Sequence, residues 1–580
     1  MRQKAIVCSP SNRFRAACFR FLRLSGDKPL SKFSDKAGFT ASPSGRAFAP
    51  RHAARWARGE TMKLVHGCKL SIADRSASGR VSKIRGNLAC WRVFRGRYVA
   101  AGDNFAVLPS HYVGLRPERL FGFESHPLNL KRGLIAQDVR RSSDLPSRIE
   151  YGSSGSHMER IFISGLGFAT CLGNDRDTFW KNLTAGVCGI DALQVHDTTD
   201  MPVTIGGEIR EYDKSRINVN DLVNTKKMDR ASQFAVLAAH EALEDAGLPT
   251  VDIGERTAVI LGAGLAGLET YEFQMERLLT KGPSRVSPFT IPMLMPNAPP
   301  SNISLAFGIR GTAYTTSSAC SSSGHAMIDA MDYLRNGKAD VVVTGGTEAS
   351  LTRLGIASFA NMKAMCRNRN DDPKHSMRPF DEDRSGFIMA EGSSVLIFET
   401  ESHLRKRGGK AWAEIVSGSS TSDSFHLVQP DPEGKQATVA IRQAIAEAGL
   451  NPADIADKTY VSAHGTSTKL NDRMETIALQ TIFGDDASKL RISSIKSMLG
   501  HMIGAACAVE MSACCLALTK GTLPPTINYD TPDPACPLNY IPNKAIEADV
   551  KFAINNSFGF GGHNVSLVAR KIEDPELMRS

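Results

Sequence analysis

The sequence predicts an α/β protein in two similar halves. Three observations carry that expectation. Short apolar runs stop at glycines, segments of helical period lie between them, and the order of these segments looks alike before and after Lys410. In chain order, "RIFISGLGFAT" reads as a β-rich run breaking at its glycines. "ASQFAVLAAHEALEDAGL" spaces Phe234, Leu237, Ala238 and Leu243 near a helical period, with Gly247 as its stop. "RTAVILGAG" is a buried strand entering a glycine turn. "HAMIDAMDYLRNG" sets Met327, Ala330, Met331 and Leu334 on one helical face, and Gly337 caps it. "ADVVVTGG" is a further apolar strand.

The second half repeats the rhythm. "AWAEIVSGSST" is a strand entering a small-residue turn, and "ATVAIRQAIAEAGL" is a helix ending at Gly449. "KTYVSAHGTST" is a strand into a turn. "RISSIKSMLGHMIGAACAVEMSACCLALTKG" supplies a strand, a turn and a long helix of small residues. Identity between the halves is weak, so the expectation is a structural duplication over residues 158–410 and 411–571, with a tail at 572–580.

Length and charge narrow the function classes. At about 150 residues per domain, 580 residues allow two to four domains. No uninterrupted apolar run approaches the ~20 residues of a membrane-spanning helix, so no integral membrane segment is expected. The net charge of +10 is an average over unlike parts. Residues 1–157 carry 29 Lys and Arg against 10 Asp and Glu, and the remainder carries 41 against 50. The basic character belongs to the leader, which removes the case for a nucleic-acid-binding fold. Twelve cysteines are irregularly spaced with no CxxC pair, against a zinc ribbon or a thioredoxin-like site and in favour of a reduced, cytosolic-type chain.

The Arg-rich stretch 1–157 has three readings: a transit-type leader, a basic arm for acidic partners, or upstream sequence foreign to the protein. The last is favoured, because "GSSGSHM" resembles a cloning remnant and Met158 looks like a start.

Cys320, in "TTSSACSSSGHA", opens the helix read above. A free thiol has a pKa of about 8.5, and a helix N-terminus favours its thiolate. Taken alone, a small buried thiol is the commoner explanation. Two later stretches shift the balance. "SAHGTST" puts His464 at the end of an apolar strand, and "KSMLGHMIGAA" puts Lys496 and His501 ahead of a small-residue helix. One thiol with two imidazoles suits acyl transfer, the thiolate holding the acyl group and the imidazoles binding a carbonyl oxygen as charge develops. "NNSFGFGGHN", Asn555 to Asn564, reads either as a turn between strands or as a flexible gate with backbone donors.

Jointly, "SSACSSSGHA", "RPFDEDRSGFIMAEG", "SAHGTSTKLND", "KSMLGHMIGAA" and "NSFGFGGHN" resemble the β-ketoacyl-[acyl-carrier-protein] synthase II family, the elongating Cys-His-His condensing enzymes of the thiolase superfamily. The resemblance spans about Met158 to Lys571. It implies a thiolase-like fold of five layers, α-β-α-β-α, and a homodimer. It implies an acyltransferase that condenses an acyl-enzyme with malonyl-carrier protein by decarboxylation. No metal or nucleotide cofactor is implied, because the substrates ride on the phosphopantetheine of acyl carrier protein.

The same resemblance assigns roles. Cys320 would be the acylated nucleophile. His464 and His501 would bind the malonyl thioester oxygen, and Lys496 would orient the site beside Glu510. The amides of Cys320 and Phe560 would form the oxyanion hole. Thr466 and Thr468 would hold the pantetheine arm, and Phe558 and Phe560 would gate the cysteine. Leu265 and Phe359 match acyl-pocket positions. Lys226, Lys227, Arg230 and Lys363 are candidates for docking the acidic carrier protein. The expected location is cytoplasmic, or an organelle stroma or matrix if residues 1–157 are a transit leader. His563 stands where many synthase II enzymes have Thr, and "SSACSSS" is serine-rich. These departures leave open a ketosynthase of a specialised polyketide or lipid pathway. A catalytically silent chain-length partner usually lacks the cysteine that this chain keeps.

Overall fold

The computed structural model describes residues 159–579 and six short strands before residue 107. Those strands pair as Lys4–Ala5 with Ala73–Asp74, Met62–Lys63 with Lys69–Leu70, and Val99–Ala101 with Asn104–Ala106. The chain divides into two compact units, Met1–Ile149 and Glu150–Ser580. The readings of residues 1–157 as a leader fall otherwise outside the described residues.

The second unit contains ten strands in one continuous ladder. They are β1 (Ile161–Ala169), β2 (Thr257–Gly262), β3 (Ala313–Thr316), β4 (Val341–Glu348), β5 (Gly392–Thr400), β6 (Ala413–Ser422), β7 (Thr459–Ser462), β8 (Arg491–Ser493), β9 (Phe552–Gly559) and β10 (His563–Arg570). Their spatial order is β3-β2-β4-β5-β1-β6-β10-β9-β7-β8. Numbered within each half, both halves have the order 3-2-4-5-1, and they meet where β1 pairs antiparallel with β6. Parallel and antiparallel pairings also match: β2 runs parallel to β3 and β4, as β7 does to β8 and β9. The duplication that weak identity left open is therefore present in the topology.

Helices connect equivalent strands. The first half has α1 (Arg230–Ala246), α2 (Ala298–Phe307) and α3 (Ser322–Arg335); the second has α4 (Lys435–Glu447), α5 (Lys469–Phe483) and α6 (Ala506–Lys520). Helices α3 and α6 each contact strands of both halves and touch one another, so they form the central layer. Helices α1 and α2 cover the first half outside, and α4 and α5 the second. The result is the five-layer α-β-α-β-α arrangement. The α6 sequence explains its place. Apart from Glu510 and the terminal Lys520 it is apolar or small on every side, and such a helix is stable only when wrapped by protein or lipid. The segment Ile503–Lys520 is long and apolar enough to cross a membrane, but 89 % of it is buried inside the protein.

One local expectation needs correction. The run at Arg160 to Thr170 does not break at its glycines; β1 continues through Gly165 and Gly167 to Ala169. Side chains there would collide with α1, since a Cβ on Gly165 would lie 2.0 Å from the Ala242 carbonyl oxygen and one on Gly167 would lie 1.9 Å from that of Ala238. These glycines admit the helix to the sheet rather than turning the chain. Helix α1 itself is capped by Asp229, whose side chain accepts from the Ala231 amide, and closes at Gly247 with φ of 68°.

Candidate active site

Cys320 sits in the tight turn from β3 into α3, where Ala319 has φ of 54°. The flanking serines build that turn. Ser322 Oγ accepts from the Ser318 amide at 2.9 Å, and Ser321 Oγ donates to the carbonyls of Ser557 (3.0 Å) and His563 (2.9 Å). Ser557 Oγ returns a bond to the Cys320 carbonyl at 2.9 Å. The serine run thus fastens the nucleophile turn to the β9–β10 hairpin. "NNSFGFGGHN" is accordingly not a loop throughout: its ends are strand, and only the tip around Phe560 to Gly562 turns.

The loops after β7 and β8 bring the two histidines to the sulfur. His501 Nε2 lies 3.0 Å from Cys320 Sγ, and the ligating atoms of Cys320, His464 and His501 all fall within 4.8 Å of one another. The imidazoles meet edge to face at 5.5 Å. Phe558 packs on His464 at 5.6 Å, and Phe387 on His501 at 5.3 Å. Behind them Lys496 contacts Glu510, both fully buried. Burial pushes Glu510 up to about 7 against the pull of Lys496. Burial also holds both imidazoles well below their ordinary range, and the charge of Lys496 adds to this. The Cys320 thiol is pushed up to about 12 by burial, while Lys496 and the amides of Phe560 and Cys320 pull the other way.

A Cys-His-His donor set is also of the kind that binds zinc. The surroundings favour the other use. The Lys496 charge opposes a cation beside the sulfur and favours an oxyanion. The backbone N–H groups of Cys320 and Phe560 likewise favour negative charge here, pulling the thiol down against its burial.

Two cavities converge on Cys320. One of about 440 Å³ is almost wholly apolar and is lined by Leu265, Ser358, Phe359, Met362 and Ile503. The other, about 480 Å³, is lined by Lys363, Thr466, Thr468, His464, His501 and Phe558. Cys320 and Phe560 belong to both. Thr466 and Thr468 share a hydroxyl bond of 3.0 Å, and Thr468 also caps α5.

The docking candidates separate. Lys363 is exposed and lines the second cavity. Lys226 and Lys227 are exposed but line neither cavity, and Lys227 lies over the Phe289 ring at 4.8 Å. Arg230 is a correction. Its guanidinium forks onto the Glu391 carboxylate at 2.8 and 2.6 Å, with side-chain exposures of 13 % and 3 %. Neutralising a buried carboxylate occupies that charge, so Arg230 is not free to meet a partner.

Sequence reasoning missed two buried carboxylates. Glu475 accepts from the amides of His464 and Gly465, each at 2.9 Å, and so sets the histidine loop. Glu348 accepts from the amides of Gly264 (3.0 Å), Leu265 (3.2 Å) and Gly504 (3.2 Å), beside the apolar cavity. Burial pushes both up to about 7. Glu348 carried a signal, an acid ending the apolar run "VVVTGGTE". Ile503, with φ of 42° and lining both cavities, carried none.

Residues 158–403 match the β-ketoacyl synthase N-terminal domain, and residues 412–530 its C-terminal domain. The chain is 39 % identical over 425 residues to 3-oxoacyl-[acyl-carrier-protein] synthase 2 of Staphylococcus aureus (strain COL), covering 72 % of this chain and 100 % of that protein. Among solved structures it resembles the ishigamide ketosynthase/chain length factor, with TM-score 0.67 and 32 % identity. It also resembles AntDE:AntF, a type II polyketide acyl-carrier protein in complex with its ketosynthase, with TM-score 0.66 and 30 % identity. Each structural match covers 72 % of this chain and 100 % of the other.

Proposed function

The chain belongs to the β-ketoacyl synthase family, and from that premise we propose that it is a 3-oxoacyl-[acyl-carrier-protein] synthase of fatty-acid elongation. The observation that carries this reading is the sulfur of Cys320 at the junction of an apolar cavity and a second one that carries Lys363, Thr466 and Thr468, with two neutral imidazoles beside it. The apolar cavity suits an acyl chain. The second cavity, with Thr466 and Thr468 along it, suits a pantetheine arm.

In the first half-reaction the sulfur attacks the thioester carbonyl of acyl-carrier protein as its proton passes to His501 Nε2. The Cys320 and Phe560 amides hold the oxyanion, and the carrier thiolate leaves and takes that proton from His501, which returns to neutral. In the second, the malonyl thioester oxygen binds between His464 and His501. Loss of CO2 leaves its electron pair on the enolate, whose carbon attacks the acyl group and releases the Cys320 thiolate, which takes up a proton from solvent. Neutral imidazoles suit this step, because they donate to an oxygen that becomes negative only as CO2 departs. Lys496 and Glu510 orient the histidines from behind. The chemistry draws on no cofactor, since the acyl groups arrive on the carrier's phosphopantetheine.

The partner is an acidic acyl carrier protein, with Lys363 as the docking contact at the mouth and Lys226 and Lys227 as outlying ones. Homodimer formation is supported by the half-exposed edge strand β3 and by exposed Phe273, Leu279, Phe289, Ile291 and Leu305 in the segment before it. The protein acts in the cytoplasm, or in a stroma or matrix if residues 1–157 direct it there. A second reading, a polyketide ketosynthase, draws support from the likeness to AntDE:AntF. Mass spectrometry after incubation with acyl-carrier protein tests the first reading: an acyl adduct is expected on the wild type and not on Cys320→Ala, and an unmodified wild type would overturn it. A chain-length series of acyl-carrier proteins with malonyl-carrier protein separates the two pathways.

A further inference from the structure

The tip of the β9–β10 hairpin is bonded to the nucleophile turn at its base and is packed by few side chains at its end. The base is bonded to the nucleophile turn through Ser321 and Ser557. Gly559 lies against it, since a Cβ there would be 2.7 Å from the Ser318 carbonyl oxygen and 3.3 Å from the Cys320 nitrogen. Two consecutive left-handed glycines follow Phe560, Gly561 with φ of 89° and Gly562 with φ of 81°. The tip's main-chain bonds are Gly562 N–H to Gly559 O at 3.1 Å, Gly561 N–H to Leu427 O at 2.9 Å, and Asp423 N–H to Gly562 O at 2.8 Å. Such a turn has little intrinsic preference for one conformation.

Two side chains flank it: Asp423 lies against Gly562, 2.8 Å from where a Cβ would stand, and His563 lies against Gly561. A Cβ on Gly561 would meet the imidazole of His563 at 3.1 and 3.2 Å, and among the described residues no other group lies within 4 Å of that point. The His563 ring in turn stands at 89° to the ring of His325, with centroids 6.2 Å apart. His325 belongs to α3, and its Nδ1 is 2.8 Å from Ser318 Oγ, two residues before Cys320. A continuous path therefore runs from the glycine tip through His563 and His325 to the turn that carries the nucleophile.

We infer that His563 is a positioning residue that clamps the gate over Cys320, its ring packing on Gly561 and bracing against His325. The inference rests on the condensing-enzyme reading above. Clamping keeps the Phe560 amide on the sulfur and its ring between the two cavities. Without it the tip samples open conformations that misplace the oxyanion donor and admit water to the acyl-enzyme. His563 touches neither substrate nor reacting atoms in this role; it acts through Phe560.

The test compares His563→Ala and His563→Phe with wild type, using one acyl-carrier protein and malonyl-carrier protein. Displacing a group that must be well placed costs on the order of tenfold to a hundredfold. For His563→Ala the expected result is condensation kcat down by about tenfold, KM for the carrier within about twofold, and acyl-enzyme hydrolysis faster by about tenfold. His563→Phe keeps a ring on Gly561 and should restore both rates to within about threefold of wild type. Equal loss in both variants, or condensation and hydrolysis falling together in His563→Ala, would overturn the clamp. Wild-type protein that takes no acyl group would instead overturn the condensing-enzyme reading, so the two failures are distinct.

Discussion

His501 Nε2 lies 3.0 Å from the Cys320 sulfur, and neither residue is more than 4 % exposed. The thiol is pushed up to about 12 by that burial, so it is not a standing thiolate at neutral pH. Proton transfer to His501 must accompany attack. Alkylation of Cys320 by iodoacetamide should therefore show no thiolate inflection between about pH 6 and 9, and Cys320→Ala should remove the adduct. An inflection in that window would contradict this account. The sign for stability follows. A thiol raised above its ordinary 9.0 binds its proton more tightly when folded, so its contribution is present below pH 9 and is lost as pH rises toward 12. Cys320→Ser should flatten that alkaline loss.

His464→Ala and His501→Ala separate the half-reactions. Each should still accumulate acyl-enzyme, more slowly in His501→Ala because the thiol there loses its proton acceptor, while condensation falls by about 10²–10³, the usual loss when a donor to developing negative charge is removed. Single-turnover mass spectrometry reads both steps. Full condensation in either variant would sink the assignment.

Lys496→Met strands Glu510 in the core without a partner. Breaking one side of a buried pair costs about 3–5 kcal/mol. Because burial raises Glu510 from 4.5 to about 7, the folded state holds its proton more tightly, and stability from this group falls as pH rises through that interval. The deficit of Lys496→Met should be larger at pH 8 than at pH 5, and Lys496→Met with Glu510→Gln should recover most of it. Denaturant midpoints check both; a pH-independent deficit would contradict the pairing.

Arg230→Ala and Lys363→Ala should fail in opposite ways. Arg230→Ala exposes Glu391 to an unpaired core and should lower stability by about 3–5 kcal/mol with carrier affinity unchanged in the folded fraction. Lys363→Ala should leave the denaturant midpoint in place, weaken carrier binding by severalfold, and reduce its salt sensitivity. Calorimetric titration at two ionic strengths distinguishes them.

Much of the fold was legible because periodicity is local. The face of α3 and the stop at Gly247 need only neighbours within a few turns to be recognised. The reading of β1 failed for the complementary reason. Gly165 and Gly167 look like breaks until α1 is seen lying across them. Glu348 and Glu475 are not legible as site residues, because an acid in a sequence carries no mark of the amides it will accept from.

The sequence by itself determined the two-half α/β plan, the nucleophile candidate, the two histidines and the glycine hairpin. Each depends on residue type and on spacing within one short segment. Tertiary structure alone decided that Cys320 and His501, 181 residues apart, would stand at 3.0 Å. It also decided that Arg230 would be spent on Glu391, and that His563 would cover Gly561. These are distances between segments that no local period encodes, set by how the two halves stack around a shared pair of helices.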